Sequence, residues 1–100
     1  MKRIKKLVKM IDEELCSAEH YAEKSIEYKI DGSEDLSRKF SKMASEELEH
    51  AMVLHEVAVK EIDKASQYVS VPAEMREKWE ISHQEYIDKV AKIKSYISMS

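Results

Sequence analysis

One hundred residues suit one domain around one core, and a core of that size is only marginally able to stand alone, so a partner chain is plausible from the outset. Hydrophobic residues at 43% and charged residues at 37%, with one glycine and one proline, favour long helices with charged outer faces over strands. A net charge of -3 gives no sequence-wide positive field for phosphates and argues against nucleic acid; no apolar run nears the roughly 20 residues that span a bilayer.

No signal-peptide core with a small-residue cleavage site is present either, so the expected location is cytoplasmic, with no membrane partner. Cys16 is the single cysteine. It can form neither an intrachain disulfide nor a two-thiol redox pair, and its expected role is a small buried or half-buried hydrophobe.

The first predicted helix covers residues 3–30. It opens on a basic cluster (Lys2, Arg3, Lys5, Lys6, Lys9) interleaved with Ile4, Leu7, Val8 and Ile11 at helical spacing, which reads as the solvated face of an amphipathic helix. Its inward stripe is expected at Ile4, Leu7, Ile11, Ala18, Tyr21, Ser25 and Tyr28. Asp31-Gly32-Ser33 then breaks the helix: Gly32 accepts a left-handed conformation, and Ser33 can cap a new start enriched in Glu34 and Asp35.

The second helix is expected over residues 34–66, with a stripe of Leu36, Phe40, Met43, Glu47, His50, Leu54, Ala58 and Ile62 facing inward. Residues 67–71 lose the helical pattern, and Ser70 with Pro72 provides a cap and first turn. The third helix is expected over residues 73–97, with Met75, Trp79, His83, Tyr86, Val90, Ile93 and Ile97 inward. Neither a repeat nor a linker divides the chain, so residues 1–100 form one all-α unit: a long antiparallel hairpin plus a third helix. The first two helices would be roughly 40 and 50 Å long. That is long for a compact monomer, and pairing two hairpins into a four-helix bundle would resolve it.

Glu47-x-x-His50 places an oxygen and a nitrogen donor about one turn apart on one helix face, where both can reach one metal ion. The motif is short, and Glu80-x-x-His83 repeats it. Position separates the two. Glu14 lies 16 residues before Ile30, while Glu47 and His50 lie 13 and 16 residues after Glu34, so in an antiparallel hairpin they come level within about one turn. Glu14 also shares its stripe with Leu7, Ile11, Ala18 and Tyr21. An unpaired carboxylate there would be penalised by several kcal/mol or become protonated, which implies a metal or a cationic partner.

Glu80 and His83 sit roughly 9 Å out of level with His50 and rank second as metal ligands, behind a reading of Glu80 as solvated and His83 as packed near Trp79. His20 and His55 lack the carboxylate three positions earlier and read as ordinary polar residues. Tyr21, Tyr28, Met43 and Met52 read as packing material. The metal-free alternative pairs Glu14 and Glu47 with Lys24, Arg38 or Lys42.

The segments "EELCSAEHYAEKS" and "ASEELEHAMVL" make residues 13–54 resemble the ferritin-like superfamily, in particular rubrerythrin-type hairpins and the short encapsulated ferritins. In that pattern a first-helix glutamate precedes a second-helix Glu-x-x-His, which maps onto Glu14, Glu47 and His50, with Glu13 and Glu19 next in line should the register shift. A full ferritin-like chain adds a third-helix Glu and a fourth-helix Glu-x-x-His. This chain has no fourth helix, and the resemblance implies that a homodimer supplies the missing half, giving two copies of each ligand. The rubredoxin-like cysteine pattern of rubrerythrins is not found in these 100 residues, and a built-in electron relay is not expected.

The resemblance thus implies a di-iron protein that binds Fe(II) at a dimer interface and oxidises it to Fe(III), with storage only where a shell or compartment holds the product. Manganese is the alternative metal, and a peroxide-scavenging variant or a metal-free helical assembly module is the alternative function.

Overall fold

The computed structural model describes residues 2–68 and 72–100 and contains three helices, α1 (Lys2–Ile30), α2 (Glu34–Tyr68) and α3 (Ala73–Met99). The chain is all-α. The α2 helix runs through Gln67, which the loss of pattern had placed in a loop, and α3 continues two residues beyond Ile97. The expected cap at Ser70 lies outside the described residues, and Pro72 caps α3 without a side-chain hydrogen bond. The longest dimension is 55 Å, set by the 35 residues of α2 at about 1.5 Å each.

A tight reversal joins α1 to α2. Gly32 adopts φ 84°, its N–H donates to Lys29 O at 3.1 Å, and the Ser33 N–H donates to Tyr28 O at 2.8 Å. These two bonds form a Schellman cap, which needs a residue without a Cβ penalty at the position Gly32 holds. The Ser33 carbonyl accepts the Ser37 N–H and so starts α2 through its backbone, whereas the sequence suggested a side-chain cap.

The α1–α2 seam is built from small residues. Ala18 and Ala22 of α1 and Ala44, Ala51 and Ala58 of α2 are wholly buried, with Ile11, Leu15 and Leu48 between them and Ile93 of α3 closing the core. Alanine keeps the helix axes close and loses no side-chain entropy on burial. Near the turn the seam is polar: Ser25 Oγ donates to Ser37 O at 2.6 Å, and Ser37 Oγ donates to Ser25 O at 2.8 Å. Both serines are buried, and this reciprocal pair satisfies both hydroxyls without water.

The expected stripe on α2 holds at Ala58 and at Leu54, which packs on the core, and is rotated by one position nearer the turn. Burial falls on Ser37, Ala44, Leu48, Ala51 and Ala58, while Leu36 and Met43 stay 41% and 38% exposed. The larger apolar residues suggested an inward face, but close approach of α1 selects the small ones. The face carrying Leu36, Met43, Glu47 and His50 therefore lies at the margin of the seam. On α1 the expected Ile11, Ala18 and Ser25 are buried, Leu15 and Ala22 join them, and Cys16 is exposed, contrary to its expected burial.

Helix α3 lies along the hairpin with the predicted side inward: Ile93 is buried, and Trp79, Tyr86, Val90 and Ile97 pack partly buried on the core. Its second half is tied to α1 by Glu19, which accepts Lys89 at 3.3 Å and Lys92 at 2.8 Å. Among the described residues no helix is long and apolar enough to cross a membrane.

Candidate metal centre

Each of the three leading ligand candidates immediately precedes a buried residue: Glu14 before Leu15, Glu47 before Leu48, and His50 before Ala51. One helical step of about 100° turns each side chain from the seam to its open edge. The antiparallel hairpin then brings them level. One donor atom from each of Glu14, Glu47 and His50 lies within 4.8 Å of the others, and among the described residues no other group of three such side chains converges this way.

The electrostatics of the cluster are unbalanced. His50 Nδ1 stands 3.8 Å from Glu14 Oε2, too far for a hydrogen bond, with the His50 side chain 60% exposed and that of Glu14 31% exposed. Glu14 Oε2 itself is buried and has no hydrogen-bond partner. The Glu14 carboxyl is held above its usual range, first by the neighbouring Glu47 carboxyl, with which it competes for a proton, then by burial and by the Glu47 charge; His50 pulls the other way. Two carboxylates so close favour either a shared proton or a cation between them.

The donor set fits a divalent transition metal. Two carboxylates and an imidazole are the ligand types of Fe(II) and Mn(II) sites, and the orphaned Glu14 oxygen is the atom a cation would satisfy. Lys24, Arg38 and Lys42 do not neutralise the acids: among the described residues neither Glu14 nor Glu47 pairs with a lysine or arginine, and Lys24 pairs with Glu27 at 3.1 Å. Glu19, a neighbouring candidate, is committed to Lys89 and Lys92, and Glu13 is exposed.

Glu80 and His83 are not brought to this cluster. Glu80 is exposed, and His83 Nδ1 instead meets His55 Nε2 at 2.9 Å, beside Trp79. His55, read from the sequence as an ordinary polar residue, is half-buried and stacks on Trp79 and Tyr86. The signal was its spacing: His55 is four residues after Ala51 and three before Ala58, on the buried stripe of α2. His20 is exposed, as expected.

A long antiparallel helical hairpin with a carboxylate–imidazole cluster at mid-height is a ferritin-like arrangement. The rubrerythrin family model matches residues 5–98, nearly the whole chain, and the protein belongs to that family. No curated protein and no solved structure matched the chain.

Proposed function

We propose that this protein binds Fe(II) through Glu14, Glu47 and His50 and promotes its oxidation to Fe(III), with two copies of the chain joining their hairpins around the site. The observation carrying this reading is the convergence of three donors within 4.8 Å around a buried carboxylate oxygen that has no partner. Bound iron supplies one-electron chemistry toward oxygen or peroxide. The chain's own contribution is electrostatic: Glu14 and Glu47 would offset the cation's charge, and His50 would add a nitrogen donor without adding negative charge.

Three protein donors leave a six-coordinate ion half-filled, and a second copy would bring the set to four carboxylates and two imidazoles, the composition of di-iron bundles. The same open edge carries apolar surface suited to such pairing. Met10 lies one turn before Glu14, and Leu36, Met43 and Val57 flank Glu47 and His50 at helical spacing, all between 38% and 46% exposed. Mn(II) suits the same donors, so metal preference is an outcome of the assay. Where the product is held, in a shell or compartment, follows from assembly beyond the dimer.

The test is anaerobic titration with Fe(II) followed by admission of air. The expected result is an Fe(III) absorbance that grows in with the protein and is lost in Glu47→Ala. An absent signal, or one unchanged in Glu47→Ala, refutes the assignment. Sedimentation with and without metal examines the pairing separately: a protein that stays monomeric with iron bound retains the site and loses the dimer.

A further inference from the structure

Between α2 and the first half of α3 lies a second cluster that the metal centre does not use. His55 Nε2 and His83 Nδ1 are 2.9 Å apart, a hydrogen bond in which one ring donates and the other accepts. Their centres are 5.0 Å apart and their planes differ by 19°, so the rings meet end on, nitrogen to nitrogen. Two metal–imidazole bonds at a tetrahedral angle would hold the nitrogens roughly 3.3 Å apart with converging lone pairs. The observed gap fits a proton. His55 also lies flat against Tyr86, centres 4.0 Å apart at 0°, and stacks on Trp79 at 5.9 Å.

The two halves of α3 are held by different chemistry. Its second half has Ile93 in the core, the Glu19 pairs with Lys89 and Lys92, and a bond from Lys29 Nζ to Met99 O at 3.0 Å. Among the described residues its first half has no ion pair to the hairpin. It rests on the imidazole pair and the rings around it, beside an open, mainly apolar groove of about 110 Å³ whose lining includes Ile4, Ile62, Met75 and Trp79.

We propose that His55 and His83 form an acid-sensitive latch, which holds the first half of α3 on the hairpin while either ring is neutral and releases it when both are protonated. One added proton leaves an imidazole–imidazolium bond intact. A second leaves two donors, two positive charges and no acceptor at 2.9 Å.

The groups bearing on the pair set the direction. Burial and His83 hold the His55 basicity below its usual 6.5, and Glu56, its neighbour on α2, opposes them. On α3, burial and Glu56 raise the Tyr86 phenol, which therefore stays neutral, and Glu80, one turn before His83, is exposed. Among the described residues no charged group of α1 acts on His55. A histidine with a lowered folded-state pKa contributes stability above about 6.5 that is lost as pH falls through the folded value. At the other end Lys92 and Lys89 hold the Glu19 carboxyl below its usual 4.5, so that clamp persists further into acid. Between these limits α3 loosens at its first half and stays anchored at its second.

Trp79 is the single tryptophan, so its emission reports this contact directly. Titration of the unaltered protein from about pH 8 to pH 4.5, with fluorescence and far-UV circular dichroism in parallel, is expected to give a reversible red shift with a midpoint below 6.5 and retained helicity. His55→Gln and His83→Gln, which keep an amide to bond the remaining ring, should each abolish the shift, and His20→Gln should preserve it. An invariant Trp79 spectrum overturns the latch. So does a shift with the same midpoint in both glutamine variants, or one that coincides with loss of helicity in the unaltered protein. Should a glutamine variant fail to fold, the histidine Cε1 proton resonances of the unaltered protein serve instead: at least one of the four must shift together with the Trp79 signal, and none doing so overturns the latch.

Discussion

Replacing Glu14 by glutamine separates a metal site from a structural ion pair, because the two roles predict opposite signs for the metal-free protein. The Glu14 and Glu47 donor oxygens lie within 4.8 Å of each other. At that separation two unit charges repel by about 0.9 kcal/mol in a water-like medium and by about 3.5 kcal/mol at an effective dielectric of 20. Glu14 is 31% exposed and His50 stands 3.8 Å away, so solvent screening and the imidazole reduce the upper figure. We expect a net gain of about 1 kcal/mol for Glu14→Gln near neutral pH, which for a chain of this size raises Tm by roughly 4–8 °C.

The pH dependence follows from the same geometry. A carboxyl whose folded-state pKa is raised contributes stability below the usual 4.5 that is lost as pH rises through the folded value, so the gain from glutamine appears at neutral pH and vanishes in acid. Metal reverses the order. On the proposed metal reading, free Fe(II) or Mn(II) at about 100 times its Kd should stabilise the unaltered protein by about 2.7 kcal/mol, and the glutamine variant, with a weaker donor, by less. Scanning calorimetry on chelator-treated and metal-loaded samples reads both effects. A lower Tm for metal-free Glu14→Gln at neutral pH would show that Glu14 already has a cationic partner, and the reasoning from an orphaned carboxylate would fail.

Two further substitutions probe the scaffold by denaturant unfolding. Ile93→Ala empties the one wholly buried apolar site on α3 among the described residues and should reduce stability by about 2–5 kcal/mol; a change below about 1 kcal/mol would mean that α3 contributes little to the core. Ser25→Ala removes a buried hydrogen bond across the seam and should reduce stability by about 1–2 kcal/mol, with Ser25→Ala/Ser37→Ala not strictly additive because the two hydroxyls also touch each other at 3.2 Å. Strict additivity would show that the bonds act independently.

Helix number, the turn at Gly32 and the level placement of Glu14 with Glu47 and His50 were legible because each rests on local chemistry or on counting along the chain. A glycine between two amphipathic runs specifies the reversal, and a rise of 1.5 Å per residue converts distance from the turn into height. Side-chain rotation was less legible. Leu36 and Met43 looked like core and are exposed, because contact between α1 and α2 is decided by which residues let the axes approach, a property of both helices together. His55 was hidden for a related reason: its partners come from α3, and a motif search that asks for a carboxylate three positions away passes over an imidazole whose partner is another imidazole 28 residues on.

The serine pair near the turn has a consequence for how this chain tolerates change in length. Glu14 lies eleven positions before Ser25 and Glu47 ten positions after Ser37, so the alignment of the candidate ligands is measured from the pinned serines and the reversal beyond them is outside the count. Lengthening the 31–33 connection would leave the serines facing and the ligands opposed. Adding a single residue between Ser37 and Glu47 would swing Glu47 and His50 by about 100° and lift them by about 1.5 Å, carrying both away from Glu14. Two hydroxyls roughly 16 Å from the cluster thus act as the zero mark of a ruler along which the proposed metal ligands are placed.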